Sequence, residues 1–141
     1  MSTDSAATIR QVYDAINARD LDGFGRLLAD DFIEHEETPG LAPTKDGVLE
    51  FFAMQLAGFP DMRMHVEDVV ADGGKVVARV RFTGTHSGDF MGMPATGRSV
   101  DAGLFDMFVV GDDGLVHEHW GVMDQLAIMQ QLGAVPAGPP A

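Results

Sequence analysis

The spacing of apolar residues changes once along this chain of 141 residues, and that change limits its fold more than any other feature. Up to about residue 60, apolar residues recur at helical spacing, as in Ile9, Val12 and Ile16. From Arg63 onward they alternate with polar residues, as they do in strands. Helices followed by strands predict an α+β fold in which the helices cover one face of a sheet.

The ends of the predicted elements carry recognisable signals. Asp20 and Thr44 are predicted to begin the second and third helices. Strands are expected at 63–70, 75–86, 99–110 and 115–122, as an antiparallel meander, with a brief extended segment at 32–35. A last short helix follows and ends at Gly133. In the second long strand, alternate residues are predicted to face the helices: Val76, Ala78, Val80, Phe82 and His86.

Length and composition fit one domain. The chain is 45% hydrophobic, as an ordinary globular protein is, and a domain of this length buries well over half of its unfolded surface. A closed pocket between helices and sheet is therefore possible. We expect a single domain at 1–135 and a loose Pro/Gly/Ala tail at 136–141.

Charge and the N-terminal sequence argue against several partners. Nine Lys and Arg residues against 22 Asp and Glu residues give a formal charge of -13, the wrong sign for binding a phosphate backbone. No apolar run reaches the roughly 20 residues that span a bilayer, and residues 1–5 do not resemble a secretory signal. We expect no nucleic acid, no membrane and a cytoplasmic location. With no cysteine, thiolate chemistry and Cys-ligated metals are excluded.

Asp124 is the first candidate for chemistry, because it lies where the last strand ends and an apolar helix begins. Strand alternation places it on the same face as Trp120 and Val122. Apolar neighbours desolvate a carboxylate, which would suit it to proton transfer. Asp is also a favoured N-cap, so this residue has a structural interpretation as well.

Four further side chains are candidates for substrate contact. Trp120 offers a stacking surface for a flat ligand, although an aromatic residue is more often part of a core. His86 ends the strand that faces the helices and could donate to a carbonyl or enolate oxygen, or lie at a turn. His35 stands in an acidic run typical of a surface, yet near the expected pocket mouth. Tyr13 lies on the buried stripe of the first helix and could turn its hydroxyl to the ligand.

Asp106 is the one acid in the apolar segment 104–110, and a buried carboxylate needs a partner. If the turn at 111–114 sets the strand register, His119 lies opposite to it. The same register places Trp120 on the other face, so the two cannot both line the pocket without a bulge. We favour Trp120 for the pocket and keep Asp106 as a second candidate.

The segment His117-Glu118-His119 could also suggest a metal site, because histidines two residues apart on a strand project to the same side. A cupin-type site would need a further histidine on a later strand, and none follows His119. The helical N-terminal half also differs from a jelly roll. We therefore expect no metal.

Three segments resemble the SnoaL-like polyketide cyclase (ester cyclase) family: GTHSGDFMGMPATGR at 84–98, EHWGVMD at 118–124 and QQLG at 130–133. The resemblance implies the nuclear-transport-factor-2-like fold, a cone-shaped curved antiparallel sheet packed against three N-terminal helices, with a short C-terminal helix. It also implies an aldol condensation that closes a ring of an aromatic polyketide without metal or organic cofactor, with Asp124 as acid/base. Val109 departs from the pattern, because relatives often have a basic residue there.

These observations predict a cofactor-independent cyclase for a hydrophobic, polyketide-like carbonyl compound. Asp124 and His86 are the predicted catalytic residues: Asp124 moves protons, while His86 and Trp120 position and polarise the substrate. One alternative is epoxide opening on the same fold, which would need arginine and acids in the pocket; Arg79 and Arg81 lie on the other strand face. Another alternative is a non-catalytic module that binds a small molecule. Large apolar residues on both faces of the late strands predict a homodimer.

Overall fold

The computed structural model describes residues 4–136, which form four helices and five strands. In chain order these are α1 (Ser5–Asn17), α2 (Leu21–Arg26), β1 (Leu28–Glu34), α3 (Lys45–Gly58), β2 (Arg63–Asp72), β3 (Lys75–Thr85), β4 (Ser99–Val110), β5 (Val116–Met123) and α4 (Gln125–Gln131). The change from helical to strand spacing near residue 60 therefore matches the order of the elements.

The helices begin at the residues that the sequence predicts. The Asp20 side chain accepts a hydrogen bond from the backbone N–H of Gly23 at 2.9 Å, and the Thr44 hydroxyl accepts one from Gly47 at 3.3 Å. Each cap satisfies a backbone donor that the first turn of a helix leaves free. Gly133, with a φ of 78°, follows α4 in the left-handed conformation that commonly ends a helix.

The sheet has the strand order β1-β5-β4-β3-β2 and is curved and unclosed. The strands β2 to β5 form the predicted antiparallel meander. The first strand differs from the prediction, because β1 is longer than the expected segment 32–35 and runs parallel to β5. Parallel neighbours need a long connection, and α3, β2, β3 and β4 separate these two strands in the sequence.

The helices cover one face of the sheet, and this inner face carries the core. From α1 it receives Ile9, Val12 and Ile16, each at most 2% exposed. The residues of β3 that are predicted to face the helices are all buried, as is His86 directly after the strand. On the outer face, Arg79 and Arg81 form ion pairs with acidic side chains of β2 and β4. The predicted inner and outer faces of β3 are confirmed.

Two further expectations concern membranes and the C-terminus. Within residues 4–136, no helix is both long enough and apolar enough to cross a membrane. Of the predicted tail at 136–141, residues 137–141 lie outside the described part of the chain.

Candidate functional site

A cavity of about 460 Å³ lies between the helices and the inner face of the sheet. Most of its wall is apolar and includes the aromatic rings of Phe24, Phe52 and Phe82. Glu37 and Pro39 line the cavity and are also exposed, so the segment between β1 and α3 borders its mouth. Ligand pockets commonly have volumes of roughly 300–1,000 Å³, so a small organic molecule fits.

The loop 87–97, between β3 and β4, forms part of the cavity wall. Its residues Phe90, Met91 and Met93 line the cavity. The backbone N–H groups of Ser87 and Gly88 donate to the Gly58 carbonyl at 3.2 and 3.1 Å, which fastens the loop to the end of α3. The loop therefore contributes apolar contact surface from a fixed position.

Five polar side chains from separate parts of the fold meet at one end of the cavity. The hydroxyl group of Tyr13 on α1 donates a hydrogen bond to Asp106 Oδ2 on β4. His119 of β5 lies between two carboxylates, with Nε2 2.8 Å from Asp106 Oδ1 and Nδ1 2.6 Å from Glu34 Oε2. Glu36 joins them, because Glu36, Asp106 and His119 have side-chain N or O atoms within 4.8 Å of one another. Tyr13, Glu34, Glu36, Asp106 and His119 are termed the carboxylate cluster.

The contact between Asp106 and His119 is as predicted, although the strand pairing is not. Asp106 lies opposite Gly121 rather than opposite His119, and a register shift between Val109 and Val110 contributes to this displacement. Because the displacement from 119 to 121 is an even number of residues, the two side chains remain on the same face of the sheet. The two side chains therefore meet as diagonal neighbours.

Gly121 gives the carboxylates room. A Cβ atom at this position would lie 2.3 Å from Glu36 Oε1 and 2.8 Å from Asp106 Oδ1, which is closer than real Cβ contacts. Any larger residue would push at least one of the carboxylates away. The absence of a side chain at position 121 therefore lets both carboxylates lie close to the β5 backbone.

The cluster shifts the pKa values of three members. Burial alone would lower the pKa of His119, but hydrogen bonds to Asp106 and Glu34, together with their charges, raise it to about 10. Burial raises the pKa of Glu36; the His119 charge opposes this rise, and the Asp106 and Glu34 charges add to it. Burial, followed by the Asp106 charge, also raises the pKa of Tyr13. At neutral pH His119 is therefore an imidazolium between two carboxylates.

A second polar pair lines the same cavity away from the cluster. His86 directly follows β3, whereas Asp106 pairs with Ala78 near the start of that strand. His86 Nδ1 lies 3.0 Å from Thr96 Oγ1 and accepts from the Thr96 backbone N–H at 3.3 Å. His86 Nε2 and Gln55 Oε1 on α3 are buried, and neither has a hydrogen-bond partner within residues 4–136. His86 and Gln55 are termed the distal pair.

Asp124 does not line the cavity. Its carboxylate accepts a hydrogen bond from the backbone N–H of Ala127 at 3.1 Å and caps α4, and the residue is exposed. The prediction that apolar neighbours shield Asp124 from water is wrong, since Val122 is itself 76% exposed. His119 and Gly121 occupy the inward positions of β5, so the alternate residues turn outward. The position of Asp124 supports its capping role and gives no support to a catalytic one.

Trp120 and His35 lie together outside the cavity. Their rings stack with centroids 4.3 Å apart and an interplanar angle of 9°, and His35 Nε2 lies 3.0 Å from Glu118 Oε1. Neither residue lines the cavity. The choice of Trp120 over Asp106 as the pocket residue is therefore wrong, because the inward side chain of His119 turns its neighbour to the other face.

Neither alternative chemistry has the residue pattern that the sequence analysis required for it. His117 Nε2 contacts Asp113 at 2.9 Å while His119 contacts the cluster, so these histidines do not converge on one ion. Glu36, Asp106 and His119 nevertheless have side-chain N or O atoms within 4.8 Å of one another, which is close enough to share an ion. For epoxide opening, no arginine is present among the described residues that line the cavity.

Sequence reasoning misses Glu34, Glu36 and Gln55. It assigns the acidic run at 34–37 to the surface, although Phe32, which is buried, shares strand alternation with Glu34 and Glu36. That alternation is the signal that could have identified both acids. For Gln55, the signal is an amide within the apolar stripe of α3.

The family model for SnoaL-like polyketide cyclase matches residues 7–132. The chain is similar in structure to AclR, a proposed hydroxylase from Streptomyces galilaeus, with a TM-score of 0.85, 28% identity, and 96% of this chain and 85% of that chain covered. It is similar to IdmH, a proposed polyketide cyclase from Streptomyces antibioticus, with a TM-score of 0.82, 34% identity, and coverage of 93% and 99%. It is also similar to TsrD from Streptomyces laurentii, with a TM-score of 0.81, 30% identity, and coverage of 92% and 97%. No curated protein matches the chain.

The match at 7–132 includes every residue of the carboxylate cluster and of the distal pair. The helices over one face of a curved, unclosed sheet agree with the fold that the sequence resemblance implies. Sequence, fold and cavity thus point to the same group of proteins. The chain belongs to the SnoaL-like polyketide cyclase family.

Proposed function

We propose that the protein catalyses an aldol-type ring closure within a hydrophobic, polyketide-like carbonyl compound and that it uses no metal or organic cofactor. The observation that carries this proposal is the carboxylate cluster in the wall of an apolar cavity. The family and the similarity to a proposed polyketide cyclase favour a substrate of this class. An aldol closure needs a base, an acid and a site that holds two carbonyl groups of one molecule together.

Asp106 is the base in this mechanism. It lines the cavity, and its two oxygens accept hydrogen bonds from Tyr13 and His119, which hold the carboxylate in one orientation. A carbon between two carbonyl groups is acidic enough for a carboxylate in a dry pocket to take its proton. The electron pair of the broken C–H bond forms an enolate, whose carbon attacks the second carbonyl and forms the new C–C bond.

Glu36 is the acid. The π electrons of the attacked carbonyl move to its oxygen, and the resulting alkoxide takes a proton. The raised pKa of Glu36 supports this role, because burial favours its protonated form. After the reaction Asp106 holds the carbon's proton and Glu36 has lost its own. Exchange with water at the cavity mouth restores both, and the product is an isomer of the substrate.

Replacement of Asp106 by Asn tests the assignment. Ring closure leaves the mass unchanged, so turnover of an aromatic bis-ketone ester is followed by chromatographic separation of substrate and product. We expect Asp106→Asn to lose turnover by about 10²-fold or more, with an unchanged circular dichroism spectrum. Asp101→Asn is the matched control, since Asp101 lies on the same strand but pairs with Arg81 on the outer face. Wild-type turnover in Asp106→Asn would remove the assignment.

Asp124→Asn separates this proposal from the role that the family resemblance implies for Asp124. Asn caps helices about as well as Asp, and the exposed side chain does not line the cavity. We therefore expect unchanged turnover and unchanged stability in the same assay. A large loss in Asp124→Asn beside full activity in Asp106→Asn would return the acid/base role to Asp124.

We also propose that the outer face of the sheet pairs with a second copy of the chain. Phe105 and Val122 are cross-strand neighbours on that face and are 57% and 76% exposed. Val77, Met107 and Trp120 form an adjacent cross-strand row. A contiguous apolar patch of this kind is commonly an interface. Sedimentation at micromolar concentration should give a dimer, and Phe105→Glu a monomer; a monomeric wild type would contradict this.

A further inference from the structure

We infer that the distal pair, His86 and Gln55, binds a hydroxyl group of the substrate, away from the atoms that react at the carboxylate cluster. This inference rests on the proposed function, because it narrows the substrate class of the same cavity. The class is an aromatic carbonyl compound with a phenolic or enolic hydroxyl remote from the carbonyls that join.

The contacts of His86 show which of its two ring nitrogens carries the proton. The Thr96 backbone N–H donates to Nδ1 at 3.3 Å, and a backbone N–H cannot accept. Nδ1 therefore carries the lone pair, and a neutral imidazole of this kind has its proton on Nε2. The residue is 0% exposed and its ring stacks on Phe59 with centroids 5.2 Å apart, which fixes its orientation. Nε2–H is thus a fixed donor in the cavity wall.

Gln55 supplies the complementary acceptor. It is 5% exposed, and its Oε1 has no hydrogen-bond partner in the described part of the chain. Phe59, which stacks on His86, lies one helical turn after Gln55 at the end of α3. Ser87, which follows His86, donates its backbone N–H to the Gly58 carbonyl at 3.2 Å, so His86 and Gln55 both lie at the C-terminal end of α3, and both line the cavity. Phe82 and Phe90 pack edge-on against Phe59, so the surroundings of the pair are apolar.

An unpartnered donor and an unpartnered acceptor in one apolar region call for a ligand group that satisfies both. Buried polar groups in proteins are nearly always hydrogen-bonded. A hydroxyl oxygen accepts from His86 Nε2–H, and the hydroxyl proton goes to Gln55 Oε1. A carbonyl would satisfy His86 alone, and an ammonium would satisfy Gln55 alone. A hydroxyl on an aromatic ring also matches the phenylalanines around the pair.

Binding of two isosteric probes, 2-naphthol and 2-methylnaphthalene, tests the inference without turnover. Equilibrium dialysis should show that the wild type binds 2-naphthol about 10-fold or more tightly, because a site built for hydrogen bonds rejects an analogue that leaves its polar groups unpaired. Gln55→Leu and His86→Phe should bind the two probes about equally. Gln55→Leu keeps the volume and removes an amide oxygen that has no partner within residues 4–136, so it decides the question even if His86→Phe does not fold.

Asp106→Asn separates this result from the proposed function. A phenol could instead donate to Asp106, so a preference for 2-naphthol that persists in Asp106→Asn and is lost in Gln55→Leu supports the distal pair. The inference is overturned if the wild type shows no preference or binds neither probe, if Gln55→Leu keeps the preference, or if Asp106→Asn loses it. Failure of the proposed mechanism would appear as retained turnover in Asp106→Asn, with the binding preference unaffected.

Discussion

The two polar regions of the cavity differ in whether their buried polar atoms have hydrogen-bond partners within the protein. In the carboxylate cluster, Tyr13, Asp106, His119 and Glu34 serve as hydrogen-bond partners for one another. In the distal pair, one nitrogen and one oxygen have no partner within the described residues. These four groups are therefore held in place by hydrogen bonds before a ligand binds, as groups that act on a reacting atom must be. The distal pair is completed by the ligand, and this makes it selective.

Replacement of His119 by Leu should have the largest effect. It removes the positive charge between Asp106 and Glu34 and leaves two buried carboxylates unopposed, so we expect the free energy of unfolding to fall by about 3–5 kcal/mol. Urea denaturation measures this change. His117→Leu on the same strand is the matched control, and since His117 pairs with Asp113 nearer the surface, its loss should be about 1 kcal/mol or less. Equal losses would show that the cluster is not specially dependent on its histidine.

An effect of the same origin should appear with pH in the unchanged protein. The pKa of His119 is about 10 in the folded chain against 6.5 in the unfolded chain. Because the folded pKa is the higher one, the stabilisation is complete below about pH 6.5 and is lost as the pH rises through about 10. Unfolding by urea at pH 6, 8 and 10 should show this decline. In His119→Leu the corresponding part of the decline should be absent, and an identical pH profile would contradict the shifted pKa.

Gly121→Ala should disturb the cluster less, through geometry alone. The added Cβ would displace Glu36 or Asp106, so turnover should fall by roughly 10- to 100-fold and stability by about 1–3 kcal/mol. Gly103→Ala on β4 is the control, because a Cβ there meets no atom within 4 Å. If Gly121→Ala were as active as Gly103→Ala, close approach of the two carboxylates would not matter for the reaction.

Gln55→Leu should give the smallest effect, and one of opposite sign. The Gln55 Oε1 atom has no partner in the described part of the chain. Replacing such a buried acceptor by an apolar side chain of similar volume should raise the free energy of unfolding by about 1 kcal/mol. Gln131→Leu is the contrasting control, since Gln131 accepts from and donates to the Asp101 backbone at 2.7 and 2.9 Å. It should lower stability by about 1 kcal/mol. A loss of stability in Gln55→Leu would show that its amide has a partner in the free protein.

Local signals in the sequence account for most of the fold. Helix caps at Asp20 and Thr44 and the alternation in β3 depend on neighbouring residues only, and the structure agrees with both. The contact of Asp106 with His119 is predictable because alternation fixes which face each side chain occupies, even when the pairing is displaced.

Other parts of the site depend on contacts that no local pattern contains. Glu34 meets His119 across 85 positions of sequence because β1 joins β5 in parallel at the edge of the sheet. No sequence pattern near Glu34 indicates that His119 is its partner. At Asp124 two local signals compete, and the cap is the one observed: the carboxylate bonds the first turn of α4. The prediction that Asp124 is buried, which extended the strand alternation of β5 past its last residue, is therefore wrong.

The loop at 87–97 has a consequence for how such a protein diversifies. It supplies Phe90, Met91 and Met93 to the cavity wall, yet every member of the carboxylate cluster comes from elsewhere in the chain. Insertions or exchanges in this one segment would change the apolar wall of the cavity and leave the carboxylate cluster in place. Exchange of this loop would thus change which ligands fit the cavity without changing the polar residues of the carboxylate cluster.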